Sequence, residues 1–300
     1  MEKFNIEFIK TERALSPTGI GVADFTINPY RGCFFNCIYC YVKFNKFARK
    51  HKLPYGSYVQ IKENIIDILK KQLPLNTGKT VLIGATTDPY QPVEKKYKLT
   101  QQILILLKKY DYSPFILTKS DLILRDIEIL KEMKNPKICI TLNSKFIIDN
   151  FERNTPPIEK RIEVIETLNK NNIYTYAHIG PYFPYITDYK NFFDLLKNKT
   201  KRINFESLNF KMITNHKEFL KKINKYSANC EKKYIEIMSK KEVYNNYWNA
   251  LEKEILEYNI AYNYKISIFF RAFNEYYKND KNGGGVDEKM GETNKSRDTS

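Results

Sequence analysis

Short β-branched apolar stretches alternate with longer amphipathic ones along most of this chain, and that alternation leaves few folds open. "TVLIGATT" (80–87), "PFILT" (114–118), "KICITL" (137–142), "IYTYAHIG" (173–180) and "RINFESL" (202–208) read as strands. Between and around them "YKLTQQILILLKKY" (97–110), "SDLILRDIEILKEM" (120–133), "PIEKRIEVIETLNKNN" (157–172) and "DYKNFFDLLKNK" (188–199) read as helices, with Ser120 as an N-cap. A strand near 25–29 and a helix near 62–72 begin the series. Strands separated by one helix each run parallel through right-handed crossovers. About six such units precede residue 210, so the chain predicts an α/β fold: a (β/α)6 TIM-like barrel, complete or partial.

After residue 210 the rhythm changes. Residues 210–279 read as a helical, basic, Tyr-rich C-terminal extension, with "YKISIFF" (264–270) as one more strand at a sheet edge. Residues 280–300 are Gly, Asp, Lys, Ser and Thr with almost no apolar side chain. Such a tail cannot repay its ordering entropy and is expected to be disordered. The expected organisation is an N-terminal segment (1–23), a barrel core (24–209), the extension and the tail.

The start of the chain shows no secretory signal pattern, and no apolar run approaches the ~18 residues that span a bilayer. The expectation is a soluble, cytoplasmic protein without a membrane partner. In a reducing compartment, five cysteines point to metal or redox chemistry rather than disulfides. Lys plus Arg is 50 against 34 Asp plus Glu, a net charge of +16. That excess can steer polyanions, nucleic acid above all. An AT-rich coding sequence gives the same excess, and only clustering separates the two.

One cluster stands out. "YVKFNKFARKHK" (41–52) carries Lys43, Lys46, Arg49, Lys50 and Lys52, no acid, and two interleaved phenylalanines. It reads either as a phosphate-tracking surface or as a helix whose Phe44, Phe47 and Ala48 face the core behind a solvated basic face.

Directly before it, "NPYRGCFFNCIYCYV" (28–42) places Cys33, Cys37 and Cys40 at C-x3-C-x2-C spacing. The loop follows the first strand of the alternating series, so it lies at the C-terminal mouth of the sheet, where parallel α/β folds keep their chemistry. Three thiolates can hold three irons of a 4Fe–4S cluster and leave the fourth iron open. The alternative is a zinc knuckle with a distant fourth ligand such as His51.

On these residues the sequence resembles the radical S-adenosylmethionine superfamily. "TTDPYQPVEKKYKLT" (86–100), "TKSDLILRD" (118–126) and "ERNTPPIEKRIEVI" (152–165) narrow the resemblance to its spore photoproduct lyase-related, DNA repair photolyase-like branch. The resemblance runs from about residue 14 to about 209 and implies a partial barrel of the radical S-adenosylmethionine type. It implies a 4Fe–4S cluster on Cys33, Cys37 and Cys40, and S-adenosylmethionine chelated by the open iron. The cluster's electron cleaves the sulfonium C–S bond, and a 5′-deoxyadenosyl radical abstracts hydrogen from a substrate. A reductant such as flavodoxin or ferredoxin is the implied partner.

The resemblance also assigns side chains. Tyr39, before the third cysteine, corresponds to the ring that lies against the adenine region. Lys119 corresponds to a lysine that salt-bridges the cofactor carboxylate; the alternative is a solvated lysine before an N-cap. Thr87 and Asp88 stand where the family binds the cofactor's amino group, though GATTD replaces the usual Gly-Gly-Glu; Asp88 also reads as a turn residue before Pro89. Thr141 and Asn143, at the end of their strand, reach toward the ribose. Glu152 and Arg161 read as a structural ion pair, and His178 as a pocket residue or a satisfied core histidine. Ala85 occupies the place of the lyase's hydrogen-donating cysteine, while Cys139 is read as buried in a strand and Cys230 as lying among helices. Thymine-dimer reversal in spore DNA is therefore not expected. The substrate classes left open are a nucleic acid or nucleotide, and a small molecule or protein. A non-catalytic, metal-stabilised nucleic-acid-binding module is the third class.

Overall fold

The protein is described by a computed structural model covering residues 4–75 and 77–273; the expected tail (280–300) and the end of the expected extension lie outside them. The strands in chain order are β1 (Asn5–Ile9), β2 (Ser16–Pro17), β3 (Phe25–Ile27), β4 (Tyr30–Arg31), β5 (Tyr58–Lys62), β6 (Thr80–Ile83), β7 (Ser113–Thr118), β8 (Lys137–Leu142), β9 (Tyr174–Tyr182), β10 (Arg202–Ser207) and β11 (Lys265–Phe269).

The main sheet has eight strands in the order β11-β10-β9-β8-β7-β6-β3-β2. Every neighbouring pair from β3 to β11 is parallel, and only β2 runs against its neighbour. Among the described residues no pairing joins β2 to β11. The result is the expected α/β partial barrel, open rather than closed. Its strands sort side chains by the period of two. Val81, Ile83, Ile116, Ile138 and Ile140 join the large core under the helices. Leu82, Phe115, Cys139 and Tyr176 form a separate small cluster on the inner face, against which Ala85 packs. Cys139 is thus buried in its strand, as expected.

Three boundaries moved, each for a local reason. The strand read over 80–87 stops at Ile83, because Gly84 sits at φ +99° and a Cβ there would lie 2.6 Å from the Leu117 carbonyl oxygen. GATTD is therefore a loop. The helix read from 97 begins at Leu99 after a separate turn, Glu94–Tyr97, with Lys98 left-handed between them. The helix read from 120 opens as a 3-10 turn, Asp121–Asp126, and Ser120 caps it by accepting from the Leu122 N–H at 3.2 Å.

A second sheet, β1-β5-β4, went unread. Its strand β5 is buried at Tyr58, Val59, Gln60 and Ile61 in succession, so it lacks the alternation that betrays a half-exposed strand. Its strands β4 and β5 lie between β3 and β6 in the chain, while β1 precedes β3, and the segment joining β4 to β5 carries the cysteine loop. At the other end, helices His216–Tyr226, Ala228–Ser239 and Lys241–Asn259 return the chain to β11, parallel to β10. The main sheet thus runs on past residue 209, and β11 forms its edge as the sequence pattern predicts.

Candidate active site

The cysteine loop is pinned from three sides. Gly32 at φ +82° passes so close to β5 that a Cβ would meet the Tyr58 carbonyl oxygen at 2.5 Å. The buried Gln91 accepts from the Phe34 N–H at 2.8 Å and donates to the Gly32 carbonyl at 3.3 Å. Asn154 donates to the Phe34 carbonyl at 2.8 Å, and the Ile38 N–H donates to Phe151 at 2.9 Å. Held this way, Cys33 and Cys37 pack with Phe35 in one cluster, with Tyr39, Cys40 and Tyr55 against them. Burial pushes the Cys33 thiol up to about 12 and raises Cys37 as well. Buried thiols of this kind stay protonated unless a metal takes the proton's place.

The donor set was tested against the implied groups. Among the described residues no three Cys, His, Asp or Glu side chains converge on a single ion. His51 faces away from the thiols: it binds Glu7 at 3.1 Å and stacks on Tyr58 at a centroid distance of 3.5 Å. That removes the zinc-knuckle alternative with His51. Three thiols on one loop fit a cluster that spreads its thiolates over separate irons.

Beside the loop lies a matched set of buried charges. Glu152 and Arg161 are both fully buried and meet at 2.5 Å. Arg161 also donates to the carbonyls of Pro156 and Thr141, at 2.9 and 3.1 Å. The other oxygen of Glu152 accepts from the Tyr39 hydroxyl and from Asn143 at 2.8 Å, and Lys119 stands 3.9 Å away. Burial alone would raise Glu152, but the charges of Arg161 and Lys119 outweigh it and hold the carboxyl at about 2. The ion pair read as structural is therefore also the anchor for Tyr39, Asn143 and Lys119. The Lys119 ammonium lies 5.9 Å from the Tyr39 ring, and its side chain is 14% exposed. It is not a solvated surface lysine.

Two polar atoms here lack partners: Asn143 Oδ1 and Ser144 Oγ are buried and unbonded. Thr141, at the end of the preceding strand β8, is part-exposed beside them. Orphaned acceptors at the sheet mouth fit a polar cofactor such as the one implied.

Thr87 and Asp88 are engaged otherwise. The Thr87 hydroxyl donates to the Gly32 carbonyl at 2.6 Å and accepts from Gln91 at 2.9 Å, so it too holds the loop. Asp88 accepts from the Thr118 hydroxyl at 2.7 Å, from the Tyr90 N–H at 2.9 Å and from the Lys119 N–H at 2.8 Å. Burial nevertheless raises its carboxyl. It is a turn residue that clamps β7 to the loop after β6. His178 is paired with Glu206 at 3.0 Å. Cys230 is buried among the C-terminal helices.

The segment 41–52 departs from the core-face reading. Its helix breaks at Asn45 into Tyr41–Phe44 and Lys46–Lys50, and no residue of the second piece is buried. Phe47 is 54% exposed, with the Arg31 guanidinium 4.1 Å over its ring. Arg49 lies 5.4 Å over Phe44.

Sequence reasoning gave no role to Gln91, Glu94, Arg125, Asn154 or Tyr55. Glu94 accepts from Tyr30 at 2.5 Å and pairs with Arg125 at 2.7 Å, bracing the strand just before the loop. Gln91 and Glu94 lie inside the stretch 86–100 that carries the resemblance. Their presence there was the available signal.

Comparison with known proteins agrees with this geometry. The model of the radical SAM superfamily matches residues 27–196. An uncharacterized protein of Methanocaldococcus jannaschii is 34% identical over 269 residues, 86% of this chain and 96% of that protein. The spore photoproduct lyase of Clostridium acetobutylicum is 26% identical over 196 residues, 64% of this chain and 56% of that one. A solved mutant spore photoproduct lyase with dinucleoside spore photoproduct shares the fold: TM-score 0.54, 13% identity, 68% of this chain and 61% of that one. The chain thus matches little more than half the length of these lyases.

Proposed function

Because the chain belongs to the radical SAM superfamily, we propose that it binds a 4Fe–4S cluster through Cys33, Cys37 and Cys40 and S-adenosylmethionine at the adjoining sheet mouth, for hydrogen abstraction from a nucleic acid or nucleotide. When bound, the cluster and S-adenosylmethionine together supply a one-electron cleavage that yields a hydrogen-abstracting 5′-deoxyadenosyl radical. The observation that carries the reading is the matched set around Glu152. It holds Lys119, Asn143 and Tyr39 beside the cysteine loop before any ligand arrives, at no further reorganisation cost.

Each side chain then has a task. Lys119 offers an ammonium to the cofactor carboxylate in a largely desolvated place, where a charged pair is strong. Asn143 and Thr141 offer polar groups to the ribose. Tyr39 offers a ring fixed through its hydroxyl. Gln91 and Thr87 keep the loop in register, a positioning role rather than a direct one.

The nucleic-acid part rests on the exposed basic and aromatic surface of 41–52, which follows the cluster loop directly. Exposed rings beside guanidinium groups are stacking platforms for single strands. Ala85 still stands where the lyase has its donor cysteine, so dimer reversal is not proposed.

The test is anaerobic reconstitution followed by assay of 5′-deoxyadenosine with single-stranded, damaged and duplex oligonucleotides. Cys33→Ala should abolish iron binding, whereas Cys139→Ala and Cys230→Ala should keep it. Stoichiometric zinc without iron would end the cluster assignment. Turnover that ignores every oligonucleotide would favour a small-molecule or protein substrate.

A further inference from the structure

A cavity of about 180 Å3 opens between the start of the cysteine loop and the segment that follows it, walled in part by Arg31, Phe47, Tyr55, Tyr58 and Lys62. Arg31 and Phe47 enter the single-strand surface above, but no role given there uses the cavity they wall. Its charges are all of one sign. Burial, and then the charge of Arg31, pulls Lys62 down to about 8. Neither cation forms an ion pair among the described residues. Glu7, on neighbouring β1, is taken by His51 at 3.1 Å and Gln60 at 2.8 Å.

The donors are also underused. Lys62 gives one bond, to the Asn28 carbonyl at 2.8 Å. Arg31 gives one long bond, to Gln60 Oε1 at 3.5 Å. An ammonium has three N–H donors and a guanidinium five. The Tyr58 ring lines the same cavity, and its hydroxyl, buried behind the wall, has no hydrogen-bond partner among the described residues. Two cations drawn out of water onto one cavity without an acid carry a cost that an entering anion would offset.

The geometry points to a phosphate site here, one that takes the terminal monoester phosphate of a nucleotide or strand. Arg31 and Lys62 neutralise the group, and a small turn of the Tyr58 side chain brings its unbonded hydroxyl to it as it enters. The charge count selects the monoester. A phosphate monoester carries about two negative charges near neutral pH, matching two cations, where a carboxylate carries one. The volume admits a phosphoryl group with room to spare, and the rest of the ligand lies toward the start of the cysteine loop, which forms one wall. The nucleotide assignment rests on the nucleic-acid reading above; the phosphate site itself does not.

The experiment is titration calorimetry of the cluster-loaded full chain with inorganic phosphate, with the thermal midpoint followed in parallel. Saturable binding and a raised midpoint are expected. Lys62→Gln and Arg31→Gln should each weaken binding at least about tenfold. Tyr58→Phe keeps the ring and its packing, so it folds whatever happens to the charge variants; it should still weaken phosphate several-fold. Absence of saturable binding, or wild-type affinity in both Tyr58→Phe and Lys62→Gln, overturns the site. Acetate binding as tightly as phosphate overturns the phosphoryl assignment. In a competition arm, 5′-phosphorylated dithymidine should displace phosphate and unphosphorylated dithymidine should not. If neither displaces it, the phosphate site stands and its nucleotide assignment falls. If oligonucleotides bind steeply with salt while phosphate does not bind, this inference falls and the nucleic-acid reading survives.

Discussion

Glu152 and Lys62 are both charges taken out of water, and the protein treats them in opposite ways. Glu152 is fully buried and fully matched, with Arg161 at 2.5 Å and Tyr39, Asn143 and Lys119 around it. Lys62 shares its cavity with a second cation and no acid. A matched set is rigid and complete without a ligand. An unmatched pair is incomplete until something enters. The first kind of region serves to hold other side chains still, and the second kind serves to bind.

The largest break in that comparison is Glu152→Ala. It leaves Arg161 buried without its partner, which costs about 3–5 kcal/mol. Chemical denaturation measures it directly. The pH dependence has a defined sign. The carboxyl is held at about 2 in the folded chain against 4.5 for a free glutamate side chain. Between those values the unfolded chain binds more protons than the folded one, so stability rises with pH. The pair's contribution is therefore complete above 4.5 and is lost as pH falls toward 2. Glu152→Gln should flatten that limb, and an unchanged limb would show that Glu152 is not held ionised.

Lys119→Ala tests the edge of the matched set. Arg161 still neutralises Glu152 in this variant, so stability should fall by less than ~1 kcal/mol. Affinity for S-adenosylmethionine should instead fall by about 2–3 kcal/mol, the cost of removing one partner of a desolvated charge pair. A large loss of stability with unchanged affinity would return Lys119 to a structural part.

Much of the fold was legible because its strands and helices carry clean periods. The cysteine loop was legible because three thiols in eight positions have few uses. The sheet β1-β5-β4 was not, since β5 is buried on consecutive residues and its partner β1 lies about fifty residues away. Thr87 and Asp88 show a different limit. Their place beside the loop could be read, but not that their oxygens would be occupied by Gly32, Gln91, Thr118 and the backbone. Side-chain partners depend on angles between strands that no local pattern encodes. The core-face alternative for Phe47 falls for the same reason: a face shared with Phe44 and Ala48 presumes an unbroken helix, and Asn45 breaks it.

The smallest effect comes from the unmatched side and has the opposite sign. Lys62 is held at about 8 in the folded chain against 10.5 for a free lysine side chain. Below 8 the ammonium is charged in both states, and folding bears its desolvation beside Arg31. Lys62→Gln removes that burden, so without phosphate the variant should be more stable than the wild type, on the order of 1 kcal/mol for a half-buried cation. Between 8 and 10.5 the unfolded chain keeps a proton that the folded chain has lost, so wild-type stability rises with pH. The variant's advantage should therefore shrink across that window and vanish above it. Saturating phosphate at pH 7 should reverse the order, because the wild type gains a ligand that the variant binds poorly. Thermal midpoints of the two chains at pH 7 and at pH 10, with and without phosphate, decide it. A variant less stable than the wild type at pH 7 without phosphate would mean that Lys62 is matched after all, and the contrast with Glu152 would be lost.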